Sequence, residues 1–148
     1  MAAAKDVAFA AADGLTLYAQ DHPADVDLGK LPVLCLPGLT RDSRDFEPVV
    51  PYLRRQRRVL CMDFRGRGRS GFAVDPASYR IDVEAADVSA LLASLGLAKV
   101  AILGTSRGGL VGMLLAATAR HQVAGLLLND VGPVLEKEGL LRIREYLG

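Results

Sequence analysis

Histidine is scarce in this sequence: among 148 residues there are two, His22 and His121, so few arrangements of a general base can be built from the chain itself. Cysteine is as sparse. Cys35 and Cys61 cannot make a metal site by themselves, and because both fall inside apolar runs they read as buried free thiols, which suits a reducing, cytoplasmic setting. Aromatic residues are only 5% of the chain and the formal net charge is +1. A nucleic-acid surface needs interleaved aromatics and a basic total, so no nucleic-acid partner is expected. That holds although Arg54, Arg55, Arg57, Arg58, Arg65, Arg67 and Arg69 crowd one span, where a solvated helix end and a surface loop are expected. No apolar run approaches bilayer-spanning length and the first residues carry no apolar signal core, so no membrane partner is expected either.

What is present is a globular balance, 51% hydrophobic and 24% charged, sufficient for one domain with a real core. Residues 7–12 and 15–20 flank Asp13-Gly14, a two-residue hairpin signal. Apolar runs at 33–36, 58–64, 100–103 and 123–129 predict the parallel strands, and the run at 99–103 is of the kind covered on both faces. Between them lie helical patterns. Residues 45–54 predict a short helix, with Asp45 as its cap and Pro51 disturbing it. Residues 81–95 predict the clearest one: Glu84 and Asp87 favour its first turns, Val88, Leu91, Leu92 and Leu95 form an apolar stripe, and Gly96 stops it. Residues 110–119 are rich in good helix formers. Strand and helix in alternation argue an α/β fold with a mostly parallel sheet and right-handed crossovers.

Gly104-Thr105-Ser106-Arg107-Gly108 joins one of these strands directly to a helix. A serine on so sharp a bend is strained and exposed, and its neighbours two residues away on either side must be small, as Gly104 and Gly108 are. This makes Ser106 a candidate nucleophile. The N–H of Arg107 faces the site with the positive end of the helix behind it and can stabilise an oxyanion. Pro37-Gly38-Leu39, after the strand at 33–36, offers the Leu39 N–H as a second donor. The plainer alternatives are a strand-to-helix turn with a bystander serine, and an ordinary Pro-Gly turn.

These two segments and Asp63-Phe64-Arg65-Gly66-Arg67-Gly68-Arg69-Ser70, which resembles an Asp-x-Arg-Gly-x-Gly-x-Ser loop, come in the order found in α/β-hydrolases. The chain resembles the N-terminal part of that family. Gly66-x-Gly68-x-x-Gly71 also matches a dinucleotide fingerprint, but the residues after it do not begin a helix that could hold a pyrophosphate. The resemblance implies a three-layer α/β-hydrolase-like sheet with an N-terminal antiparallel hairpin. It also implies a cofactor-free serine hydrolase of a small-molecule ester, or of a related amide or carbon-carbon bond, with Ser106, Leu39 and Arg107 as its catalytic groups. A serine at the nucleophile position weighs against haloalkane dehalogenases and epoxide hydrolases, which use an aspartate.

The base is not evident. His121 lies about 22 Å from Ser106 if a continuous helix joins them at 1.5 Å per residue, and His22 sits in a polar loop after the hairpin. Asp130 closes the last strand, where some members carry their acid, but others place it after a later strand, and a structural role capping the next segment is the expectation for Asp130. The family order of Ser, acid, His places the base beyond residue 148. The expectation is therefore an incomplete domain over residues 1–148, with a cap beginning at 134–148 and little activity by itself. The open edge at 123–129 would be covered by the missing C-terminal half or by a second copy. A non-catalytic binding module that keeps the fold is the alternative.

Overall fold

Six strands line up in one sheet in the computed structural model, which describes residues 2–132, 134, 136–139 and 141–142. They are β1 (Lys5–Ala10), β2 (Thr16–His22), β3 (Val33–Leu36), β4 (Val59–Asp63), β5 (Val100–Thr105) and β6 (Val123–Asn129). Across the sheet their order is β1-β2-β4-β3-β5-β6. β2 is antiparallel to β1 and β4, and all other pairs are parallel. The helices are α1 (Val50–Leu53), α2 (Ile81–Ser94) and α3 (Arg107–Thr118), with 3-10 turns at Ser43–Phe46, Pro76–Ser78 and Arg120–Gln122.

Alternation along the strands sends side chains to two faces. Leu17, Leu34, Leu60 and Ile102 on one face meet Val88 and Leu91 of α2 and Val111 and Leu115 of α3. On the other, Val33, Cys35, Val59 and Cys61 lie under Phe46 and Val50. The result is the three-layer α/β arrangement expected from the sequence. The thiols of Cys35 and Cys61 are free and buried, on residues opposite one another in the β3–β4 register. A hydrogen bond with Cys35, together with burial, pushes the Cys61 thiol far above the ordinary range. Among the described residues no helix is long and apolar enough to cross a membrane.

Four local expectations need correction. The hairpin turn is longer than two residues. Its last strand pair is Ala10 with Thr16, Ala11 N–H donates to Leu15 O at 2.9 Å, and Gly14 takes φ 84. Asp13 sits within the longer turn, where its carboxylate accepts from Leu15 N in an Asx turn and also from Arg65. The helix expected over 45–54 is split. Asp42, not Asp45, caps the 3-10 turn, and α1 starts afresh with Pro51 in its first turn. Pro48 and Pro51 lack the N–H groups that a continuous helix would need.

The third and fourth corrections concern charge. Arg65 is not at the surface: it is 1% exposed. It pairs with Asp87 through Nε at 2.7 Å and Nη2 at 2.8 Å. Arg54, expected on a solvated helix end, is buried as well, with its Nε 3.1 Å from Asp25 Oδ1; Glu84 and Asp87 stand in the first turns of α2 as expected, and both are buried and ion-paired. The end of α2 is as expected, since Gly96 at φ 65 lets Leu97 N–H reach Leu92 O at 2.9 Å and Gly96 N–H reach Ala93 O at 3.1 Å. Most of the segment 134–148, where a cap is expected to begin, lies outside the described residues.

Candidate active site

β5 ends at Thr105, α3 starts at Arg107, and Ser106 between them has φ 50 and ψ −112. That is a left-handed conformation, sparsely populated by residues with a Cβ. The packing around it explains why the chain accepts it. A Cβ on Gly104 would lie 2.7 Å from Gly108 O, and one on Gly108 only 2.1 Å from Leu36 O. The start of α3 thus presses directly on the ends of β5 and β3. Hydrogen bonds secure it: Ser106 N–H donates to Asn129 O at 2.9 Å and Gly108 N–H to Pro37 O at 3.1 Å.

The loop after β3 passes close by, so that a Cβ on Gly38 would stand 3.8 Å from Ser106 Cβ. Leu39 follows, and its N–H has no acceptor among the described residues. Arg107 is the first residue of α3, where an N–H has no intrahelical partner. Ser106 and the two candidate donors therefore share the carboxyl end of the parallel strands.

Neither histidine is there. His22 pairs with Val59, the first residue of β4. His121 is in the 3-10 turn before β6, whose Val123 pairs with Val100, the first residue of β5. Both sit at the amino end of the parallel strands. At about 3.3 Å per residue, the length of β5 alone separates that end from Ser106 by about 17 Å. Asp130 is on the near side. It directly follows Asn129, is exposed, and has φ 56.

Sequence reading missed the side chains that hold this end together. Arg107 Nε donates to Glu84 Oε2 at 2.8 Å, and its Nη2 to Tyr79 O at 3.2 Å, which clamps the start of α3 to α2. Burial raises the Glu84 carboxyl above its usual range, and the hydrogen bond from Arg107 partly offsets this. A signal was available: Glu84 stands four and seven residues before Val88 and Leu91, on the apolar stripe itself, and an acid there needs a buried cation.

The loop after β4 winds around a second buried acid. Asp63 accepts from Ser43 N at 2.7 Å and Arg69 N at 2.8 Å. A Cβ on Gly68, which has φ 49, would fall 2.1 Å from Asp63 Oδ2. These glycines thus serve an internal carboxylate.

Beside the start of α3 is a cavity of about 400 Å³ whose walls include Leu39, Phe64, Arg67, Phe72, Tyr79 and Arg107. Another, of about 270 Å³, lies on the α1 side next to His22 and Arg54, at the other end of the strands. Among the described residues no group of three or more His, Cys, Asp or Glu could hold a metal ion.

Comparison with known proteins agrees with this fold. The family model for the alpha/beta hydrolase fold matches residues 32–143. A 3-hydroxybutyrate-oligomer hydrolase of Cupriavidus necator is 45% identical over 116 residues, covering 78% of this chain and 40% of that protein. The crystal structure of an alpha/beta hydrolase from Novosphingobium aromaticivorans superposes with a TM-score of 0.90 at 46% identity, covering 99% of this chain and 50% of that one. An esterase from Exiguobacterium antarcticum gives 0.75 at 25% identity, over 84% of this chain and 44% of its own. The chain spans half or less of the length of these relatives.

Proposed function

The chain belongs to the α/β-hydrolase fold family, and from that premise we propose that it carries the nucleophile and oxyanion hole of a serine hydrolase acting on small-molecule esters. Ser106 Oγ attacks the ester carbonyl and passes its proton to a base. The N–H groups of Leu39 and Arg107 hold the oxyanion, the alcohol leaves with that proton, and water then releases the acid. Amide and carbon-carbon substrates fit the same constellation less directly. The Cupriavidus relative is named for 3-hydroxybutyrate oligomers, and a hydroxy-acid ester of that kind is the substrate we extend to this chain.

The observation that carries the reading is Ser106 at φ 50, wedged in by glycines that tolerate no side chain. Such backbone strain costs about 1–3 kcal/mol, and presenting a nucleophile gives it a purpose. The base, in our reading, is neither His22 nor His121, since both are at the wrong end of the sheet. It comes from residues outside those described, and chain or a second copy that covers β6 is the natural source. Asp130 is our candidate for the acid of the triad. The buried, unbridged cysteines fit a cytoplasmic location.

Labelling with a fluorophosphonate tests the proposal. The full-length protein should label on one serine, and Ser106→Ala should abolish it. The second reading, a non-catalytic binding module, draws on the distance of both histidines from Ser106; a folded full-length protein that never labels would favour it.

A further inference from the structure

Three arginines wall the cavity beside the start of α3: Arg65, Arg67 and Arg107. Two of them are neutralised in place. Arg65 is held by Asp87 and by Asp13, its Nη1 2.9 Å from Asp13 Oδ2, and Arg107 by Glu84. Arg67 differs. It is half-buried, its Nε donates to Leu39 O and its Nη1 to Gly66 O at 2.9 Å, yet among the described residues it has no carboxylate within ion-pair distance.

Two neutral carbonyls fix where this guanidinium sits without cancelling its charge, and no described hydrogen bond uses Nη2. Glu84 is the acid of the cavity wall, and its oxygens are taken by Arg107. The remaining lining, Leu39, Phe64, Phe72 and Tyr79, is apolar or aromatic. Glu84 feels the Arg67 charge across the cavity but is hydrogen-bonded to Arg107 instead, and a half-buried cation with no carboxylate in contact gains when an anion joins it. A cavity of about 400 Å³ with both charged and aromatic walls is of the size that accepts a small organic ligand.

We propose that Arg67 is a specificity-determining residue that binds a free carboxylate on the substrate, so that the preferred substrates are short esters carrying a carboxylate near the scissile bond. The inference rests on the ester-hydrolase reading above and deepens it. Placement supports it: the residue whose carbonyl anchors Arg67 is Leu39, the proposed oxyanion donor. A carboxylate on the guanidinium therefore stands only a few bonds from a carbonyl in the oxyanion hole. The planar fork of arginine suits a carboxylate in a way that a lysine ammonium does not.

The test compares four esters in the full-length protein: one with a free carboxylate on its acyl side, one with it on its alcohol side, and the methyl-capped neutral form of each. At least one free acid should exceed its capped form in kcat/KM by about tenfold to a hundredfold, the range of a charge-assisted hydrogen bond. Arg67→Gln should erase that ratio chiefly through KM, and Arg67→Lys should restore part of it. Loosening of Leu39 alone would lower kcat for free and capped esters alike and leave the ratio standing, which would overturn the proposal. Equal rates for free and capped esters in the unmodified protein would overturn it as well. Should Arg67→Gln fail to fold, glutarate must inhibit the unmodified protein better than glutaramide does; equal inhibition counts against the proposal. Absence of ester turnover together with absence of fluorophosphonate labelling would instead bring down the parent reading, and this one with it.

Discussion

Most glycines at the carboxyl ends of the parallel strands are packed more tightly than those at the amino ends, although a Cβ on Gly38 or Gly132 would make only ordinary contact, at 3.7 and 3.9 Å, and one on Gly14 would meet nothing within 4 Å. At the carboxyl ends a Cβ on Gly66, Gly68, Gly104, Gly108 or Gly109 would come within 3.0 Å of other atoms, and at Gly108 within 2.1 Å of a backbone oxygen. At or near the amino ends, Gly29, Gly96 and Gly125 would meet nothing within 4 Å. The described non-glycine residues with positive φ, Ser106 and Asp130, both lie at the crowded end. Close packing and strain concentrate where several backbones converge on Ser106, and the other end makes ordinary turns. Strain persists only where surrounding structure over-determines it, so the contrast marks the end to which the proposed chemistry is assigned.

The sharpest way to break the contrast is at Ser106. In the full-length protein Ser106→Ala should lower kcat/KM for esters by roughly a thousandfold or more. Ser106→Gly should do the same while raising stability by about 1 kcal/mol, because glycine adopts φ 50 without strain. Chemical denaturation of both variants beside an esterase assay separates the two effects. Next in size is a pair of matched substitutions. Gly108→Ala pushes a Cβ into Leu36 O and should cost about 3 kcal/mol or more, whereas Gly125→Ala, with open space around it, should be neutral or gain about 0.5 kcal/mol. Equal costs in urea melts would dissolve the distinction between the ends.

Much of the crowded end was legible because it is local in sequence. The elbow spans five consecutive residues, and the strands at 33–36 and 123–129 were read with the bounds the structure gives, since apolar runs between turns leave little choice. What escaped was long-range. Arg65 finds Asp87 across 22 positions and Arg107 finds Glu84 across 23, and no periodicity announces a partner that far away. The proline spacing that splits 45–54, and the anchoring of Asp13 by Arg65, depend in the same way on what the fold brings near.

The buried clamp is thus the next place to press. Glu84→Gln takes the counter-charge from Arg107 and should cost about 1–2 kcal/mol, less than the roughly 3–5 kcal/mol of a broken fully buried pair, because Arg107 keeps some solvent contact and burial already disfavours the Glu84 carboxylate. Its pH dependence carries a sign. Burial raises the Glu84 pKa, so the folded state holds the proton more tightly than the unfolded chain. The stability linked to this group is full below the ordinary carboxylate pKa and declines as pH rises through the raised one. The glutamine variant should lack that decline in denaturation curves taken across the interval.

The smallest effects belong to the open end, and they bear most directly on where the proposed base comes from. His22 faces the α1-side cavity and His121 is exposed, each level with the first residues of the parallel strands. An imidazole there cannot take a proton from Ser106, because general-base transfer needs about 3 Å or one bridging water. His22→Ala and His121→Ala should leave the rate of fluorophosphonate labelling in the full-length protein within about twofold, and the exposed His121 should change stability by less than about 0.5 kcal/mol. A hundredfold loss of labelling in either variant would mean that the ends of this sheet are coupled in a way the register does not allow. It would return the base to a residue of this chain.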